Sequence, residues 1–264
     1  LSKLFKIINL EKWDTLNKGI DMKSFLLFAL LLTVTSCSTN KKILMVVTNH
    51  ETLGTTGKKT GYYLPEVTHP YYTFVESGYE VDFASPSGGM APMDPKSLDL
   101  KDKYNKKFYD NKELMGRLEN TKPLSGINSS DYQAIVFAGG HGTMWDFPDS
   151  QSLQTVATEI YEKGGVVGAV CHGPAALLNI KLSNGEYLIK DKNVTGFTNE
   201  EEGIVKLKKQ MPFLLESKLK ERGAKFSGAS AWAEMVEVDG RLVTGQNPAS
   251  AGKMGAEIVN ILKN

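Results

Sequence analysis

The chain has 264 residues, enough for one large α/β domain with a substantial core and too few for two comfortable ones. Its 31 basic residues nearly cancel its 30 acidic ones, so there is no electrostatic footprint for nucleic acid and no basic stripe to supply one. The four histidines and two cysteines, Cys37 and Cys171, show no CxxC or HExxH spacing, so no zinc site of a recognised pattern is present.

Residues 23–37 read KSFLLFALLLTVTSC: a lysine, a short apolar run, then small and polar residues ending at Cys37. The run is too short to span about 30 Å of hydrocarbon as a helix, but it suits the apolar centre of a secretory signal. Val34-Thr35-Ser36-Cys37 resembles a bacterial lipobox, with Val and Ser where Leu and Gly or Ala are commonest. The expectation is a signal peptide over 22–36 and a lipidated tether over 37–41, on a lipoprotein of the bacterial cell envelope. The membrane is then a partner through Cys37. Residues 1–21 read as an extension ahead of a start at Met22 and are kept out of the fold argument.

From Lys42 onward, buried strands alternate with helices. KILMVV (42–47) is an apolar run of the kind a central parallel strand shows. TFVESG (73–78) closes a helix at Gly78, and YEVDFAS (79–85) and YQAIVFAGG (132–140) are further strands. SLQTVATEIYEKGG (152–165) has helical spacing and a Gly-Gly stop, VVGAV (166–170) is the next strand, and a helix starts near Pro174. VTGFT (194–198) precedes a helix expected over 203–222. RLVTGQ (241–246) reads as the last strand and residues 251–264 as a closing amphipathic helix. This alternation predicts a single α/β domain over 42–264, a doubly wound, mostly parallel sheet flanked by helices. Stretches 49–65 and 86–130 read as insertions near the active face.

In VVGAVCHGPAALL an apolar strand meets Cys171, then His172-Gly173-Pro174, then helix formers. Proline suits the first turn of a helix and Gly173 permits a tight corner. This is a nucleophile elbow at Cys171, which places a side chain at the carboxyl end of a strand, where open α/β sheets bind ligands. The following helix N-terminus is expected to lower the thiol pKa.

AVCHGP, with FAGGHG before it and TGFTNEEE and VTGQNPASA after it, resembles the ThiJ/PfpI superfamily over nearly all of 42–264. The long insertions and PEVTHPYYTF are similar to the branch of heat-inducible chaperones and glutathione-independent glyoxalases (glyoxalase III, D-lactate dehydratase). The resemblance implies a class I glutamine amidotransferase-like fold, with Cys171 as nucleophile and His172 as its adjacent histidine. It further implies Glu66 as the carboxyl against the thiol and Glu202 as the residue orienting His172. Glu200 and Glu201 are close enough to leave that last assignment open. Gly140 and the His172 backbone are implied as the oxyanion hole, and His141 lines the pocket or lies in a supporting or surface position.

True glutamine amidotransferases of this fold carry their catalytic histidine far downstream of the cysteine. No histidine follows His172, so that activity is excluded. What the resemblance implies is conversion of methylglyoxal to lactate through a cysteine hemithioacetal, or a related carbonyl repair, with no cofactor and no metal. A cysteine peptidase or amidase and a holdase chaperone are the alternatives, and a homodimer and unfolded clients are the further partners it allows. If Cys37 is the acceptor, labelled palmitate fed to the native host will mark the full chain but not its Cys37→Ala variant. Label in both would refute the assignment.

Overall fold

In a computed structural model, residues 41–264 are described. Cys37, the expected signal segment and most of the tether lie outside them. In chain order the elements are β1 (Lys42–Val46), α1 (Leu64–Glu76), β2 (Glu80–Ser85), α2 (Lys103–Tyr109), α3 (Lys112–Glu119) and β3 (Lys122–Pro123). There follow β4 (Ala134–Phe137), α4 (Thr143–Asp146), α5 (Gln151–Glu162), β5 (Val166–Val170) and a 3-10 helix, Gly173–Asn179. The last part holds β6 (Asn193–Val194), α6 (Asn199–Ile204), α7 (Leu215–Glu221), β7 (Lys225–Phe226), β8 (Val236–Asp239), β9 (Leu242–Gly245) and α8 (Ala251–Lys263).

Seven strands form one sheet in the order β3-β2-β1-β4-β5-β9-β8, parallel throughout except for the β8–β9 pair. β4, β5 and β9 are buried along their whole length, as strands covered by helices on both faces must be. From β1 the chain winds outward through β2 to β3, then returns to β4 and winds the other way. The reversal leaves a crevice beyond the carboxyl ends of β1 and β4, with the β5 elbow next to it.

The expected strands and the closing helix are present, and one expectation is corrected. The helix expected over 203–222 is two, α6 and α7, joined by an irregular segment that contains Pro212. Proline lacks an N–H for the helical ladder, and its ring forbids the preceding turn. The last strand is where it was expected, and β8 pairs with it as an antiparallel hairpin through Gly240, which has φ +60°. Val194 at the start of VTGFT forms, with Asn193, the two-residue β6, which pairs with β7 in a separate small sheet.

α1 and α8 pack against each other. A Cβ on Gly255 would lie 3.2 Å from Pro70 Cα, so the small residue sets how closely they approach. α8 also buries Met254 and Ile258 on the sheet, where Ile258 Cδ1 fills the space a side chain at Gly168 of β5 would need. A Cβ there would sit 2.5 Å from it. Urea denaturation should therefore show Ile258→Ala destabilising by about 2–5 kcal/mol and Gly168→Ala by about 1–3 kcal/mol. The double variant should lose clearly less than the sum, because the truncation makes room for the added methyl.

Candidate active site

Cys171 follows β5 directly and has φ +59°, a left-handed conformation that costs a non-glycine residue energy. Two backbone hydrogen bonds hold it there. The Cys171 N–H donates to the Gly245 carbonyl (2.9 Å), and the Phe197 N–H donates to the Cys171 carbonyl (2.8 Å). Gly173 makes the corner possible, since a Cβ on it would stand 2.3 Å from the Phe137 carbonyl oxygen. The sequence-predicted elbow is therefore present, with its thiol almost fully buried.

The loop leaving β4 lies beside it. Gly139 passes so close that a Cβ would be 2.5 Å from both Glu66 Oε2 and the Val170 carbonyl oxygen. Its N–H donates to Glu66 Oε2 at 2.8 Å. Gly140, at φ +108°, leaves its N–H without a protein acceptor among the described residues. The His172 N–H is directed at the Cys171 sulfur. Thr143 Oγ1 ties the two strand ends together by donating to the carbonyls of Gly140 (2.9 Å) and His172 (3.0 Å).

Glu66 enters from the first turn of α1, fully buried, with its carboxyl against the Cys171 thiol. Its Oε1 has no hydrogen-bond partner among the described residues. Burial pushes Glu66 up to about 8, against the hydrogen bonds from Cys171 and Gly139, so it holds its proton at neutral pH.

On the other side, His172 Nδ1 lies 3.4 Å from the sulfur and Nε2 lies 2.8 Å from Glu202 Oε2. Burial, then the neighbouring His141, lower His172 to about 4 and leave the imidazole neutral. A carboxylate only accepts, so Nε2 carries the hydrogen and the Nδ1 lone pair faces the thiol. Burial alone would raise Glu202, but hydrogen bonds from His141 and His172 outweigh it and hold the carboxyl down to about 2. Of the three consecutive glutamates, Glu202 alone reaches His172. Glu201 closes a capping box with Thr198, and Glu200 adds charge to the first turn of α6.

One expectation is overturned. The Cys171 thiol is not lowered: burial, then the charge of Glu66, push it well above its ordinary value. Only a short 3-10 helix follows the elbow, and its dipole cannot offset removal from water.

His141, expected from the sequence to line the pocket or lie in a supporting or surface position, proves to be a partner of Glu202. Its Nε2 lies 3.2 Å from Glu202 Oε1 and its ring centroid 4.1 Å from that of His172. The donor atoms of His141, His172 and Glu202 fall within 4.8 Å of one another, a set able to hold a divalent cation. The hydrogen bonds already account for the cluster. Its one sequence signal is the histidine directly after the Gly-Gly strand exit. Phe197, which covers the His172 ring at 4.4 Å, was likewise visible only as part of GFT.

A thiol on a strained strand exit, an imidazole oriented by a carboxylate and a second carboxyl against the sulfur invite comparison with known proteins. The DJ-1/PfpI family model matches residues 59–261. The chain belongs to the DJ-1/PfpI family. Among its relatives, Glyoxalase 3 of Candida albicans is 37% identical over 228 residues, spanning 83% of this chain and 97% of that protein. The glutathione-independent glyoxalase HSP31 of Saccharomyces cerevisiae is 37% identical over 85% of this chain and 99% of its own length. The crystal structure of the C. albicans glyoxalase III superposes with a TM-score of 0.77 at 36% identity, over 84% of this chain and 97% of that one. Rapid Encystment Protein 24 kDa of Francisella tularensis reaches 0.82 at 46% identity, over 85% and 100%. The fold shared with these structures is the mostly parallel sheet, and the relatives named as glyoxalases make the chain an enzyme.

The electrostatics of Glu66 give a signed prediction. Its carboxyl is raised in the folded state, so its contribution to stability is intact below about pH 4.5 and is lost as pH climbs toward 8. Replacing it by glutamine removes that loss. Glu66→Gln should be more stable than the parent at pH 8, by on the order of 3–5 kcal/mol, with the gain shrinking toward pH 5. Thermal unfolding across that range would show it, and a gain independent of pH would contradict the burial argument.

Proposed function

We propose that this enzyme is a glutathione-independent glyoxalase that converts methylglyoxal to lactate through a hemithioacetal on Cys171. The observation that carries the reading is Glu66, a carboxyl whose proton exchanges near neutral pH, set against a thiol that has a neutral imidazole on its other side. The names of the relatives support it.

The chemistry follows from the protonation states. As the sulfur attacks the aldehyde carbon, the thiol proton passes to His172 Nδ1, and Glu66 protonates the aldehyde oxygen. Glu66 is thereby left as a carboxylate beside the C–H bond that the hemithioacetal carbon keeps from the aldehyde. It removes that proton while the imidazolium protonates the ketone oxygen, giving an enediol. Glu66 then returns its proton to the adjacent carbon and His172 accepts the remaining hydroxyl proton, leaving a thioester. Water cleaves the thioester to lactate, the sulfur recovers its proton from His172, and Glu66 is reprotonated from solvent. The Gly140 and His172 N–H groups are the donors for the oxygen that carries charge in these steps. Glu202 acts through His172, holding the tautomer whose lone pair faces the thiol.

A cysteine peptidase would share Cys171, His172 and Glu202 but has no use for a protonated carboxyl against the sulfur. We further propose that the enzyme works from the cell envelope, tethered at Cys37. The ordered lysine, apolar run, cysteine and polar tether support this, and a glutathione-independent reaction suits a compartment outside the cytoplasm.

Purified protein incubated with methylglyoxal and no glutathione should form lactate. Cys171→Ala should form none, and Glu66→Gln should be slower by ~10²-fold or more. A Glu66→Gln enzyme of nearly full activity would transfer the proton shuttle to another group and sink the mechanism.

A further inference from the structure

Trp232 has no part in the chemistry above, yet several buried groups are committed to holding it. It lies outside any helix or strand with φ +66°, a conformation that disfavours a bulky side chain, and the residue is 46% exposed. Its N–H donates to Oε1 of the fully buried Glu201 at 2.9 Å. The same oxygen accepts from Asn247 Nδ2 (2.9 Å), which also reaches the Ala233 carbonyl (2.8 Å). The other oxygen of Glu201 is held by the N–H and hydroxyl of Thr198. A buried carboxylate adjacent in sequence to Glu202 thus pins the Trp232 backbone in a strained shape.

The ring it presents lies edge-on to Phe197, at 5.8 Å between centroids and 61° between planes. Phe197 in turn covers His172 at 4.4 Å. An aromatic path therefore leads from the imidazole that serves the thiol to a half-exposed indole. Glycine would satisfy the backbone at 232 better than any side chain, so what tryptophan adds there is its ring. Strain of this kind, maintained by surrounding hydrogen bonds next to a catalytic group, is a mark of a functional position.

We infer that Trp232, with Phe197 beneath it, forms a binding subsite for the substituent of the substrate carbonyl. The enzyme would then take 2-oxoaldehydes that carry an aromatic or bulky apolar group, and would prefer them to methylglyoxal. The subsite rests on the glyoxalase reading. An indole face beside a phenyl ring offers area burial and edge or offset contacts to an aryl group, but little to a methyl. The gain is in binding and therefore falls on KM.

The test compares phenylglyoxal with methylglyoxal, measuring initial rates of 2-hydroxy acid formation in the full-length protein, Trp232→Gly and Trp232→Phe. Trp232→Gly suits the left-handed backbone, so its melting temperature should match or exceed the parent's, which separates loss of the ring from loss of the fold. The parent should favour phenylglyoxal in kcat/KM. In Trp232→Gly the phenylglyoxal-to-methylglyoxal ratio should fall ~10-fold through KM, and Trp232→Phe should recover part of it. A parent that turns over methylglyoxal without favouring phenylglyoxal, or a ratio unmoved in Trp232→Gly, would overturn the subsite and leave the glyoxalase reading standing. A parent inactive on both substrates would remove the glyoxalase reading and the subsite with it.

Discussion

Everything at the reactive centre depends on Cys171 being held in a left-handed backbone conformation at the end of β5. A non-glycine residue does not stay there unaided. The Gly245 carbonyl at the end of β9 takes its N–H, and the Phe197 N–H takes its carbonyl. The strain is thus balanced by two separate parts of the chain, one from the sheet and one from the segment leading to α6. Those same parts carry the groups that serve the sulfur, because Phe197 and Thr198 lead directly to Glu202. The hydrogen bonds that bend the elbow also set the distance from imidazole to carboxylate.

The two carboxyl groups of the site show how environment divides one chemistry into two roles. Glu66 is enclosed by α1, the glycine strand exit and the thiol, with one N–H to support a charge, and burial prevails. Glu202 is nearly as buried but receives two imidazole N–H groups, and the hydrogen bonds prevail. One is a proton carrier near neutral pH and the other a permanent anion. With a neutral His172 and a protonated thiol, the resting site carries its negative charge on Glu202, away from the sulfur. A thiol kept protonated reacts when a carbonyl and a base meet it together, which favours substrate over chance electrophiles.

Much of this was legible in the chain because it rests on local pattern. Runs such as KILMV and VVGAV are uniformly apolar because both faces of the sheet are covered, and CHGP marks a corner through the backbone demands of Gly173 and Pro174. Glu66 was found by resemblance, but its raised pKa was not, since burial comes from α1 docking on distant residues. The thiol was misjudged for the same reason. A dipole argument uses sequence neighbours, whereas desolvation depends on what the fold places around the sulfur. The break between α6 and α7 was signalled by Pro212, and the Glu201 capping box by Thr198 three residues earlier. The partnership of His141 with Glu202, 61 positions apart, had no local signature.

The parallel sheet has a consequence for how the protein comes into being. Both the Gly245 carbonyl that closes the elbow and the β9 strand that carries it come from the last part of the chain. A nascent polypeptide that has released β5 but not β9 cannot bend Cys171 into place, nor bring Asn247 against Glu201. During synthesis the thiol is therefore an ordinary cysteine on an unfinished sheet. Catalytic competence arises as the final hairpin and α8 dock, so that completion of the chain and assembly of the site are one event. Such distant pairings fold slowly, and the delay is the interval in which a truncated copy, unable to form the elbow, has a thiol but no catalytic site.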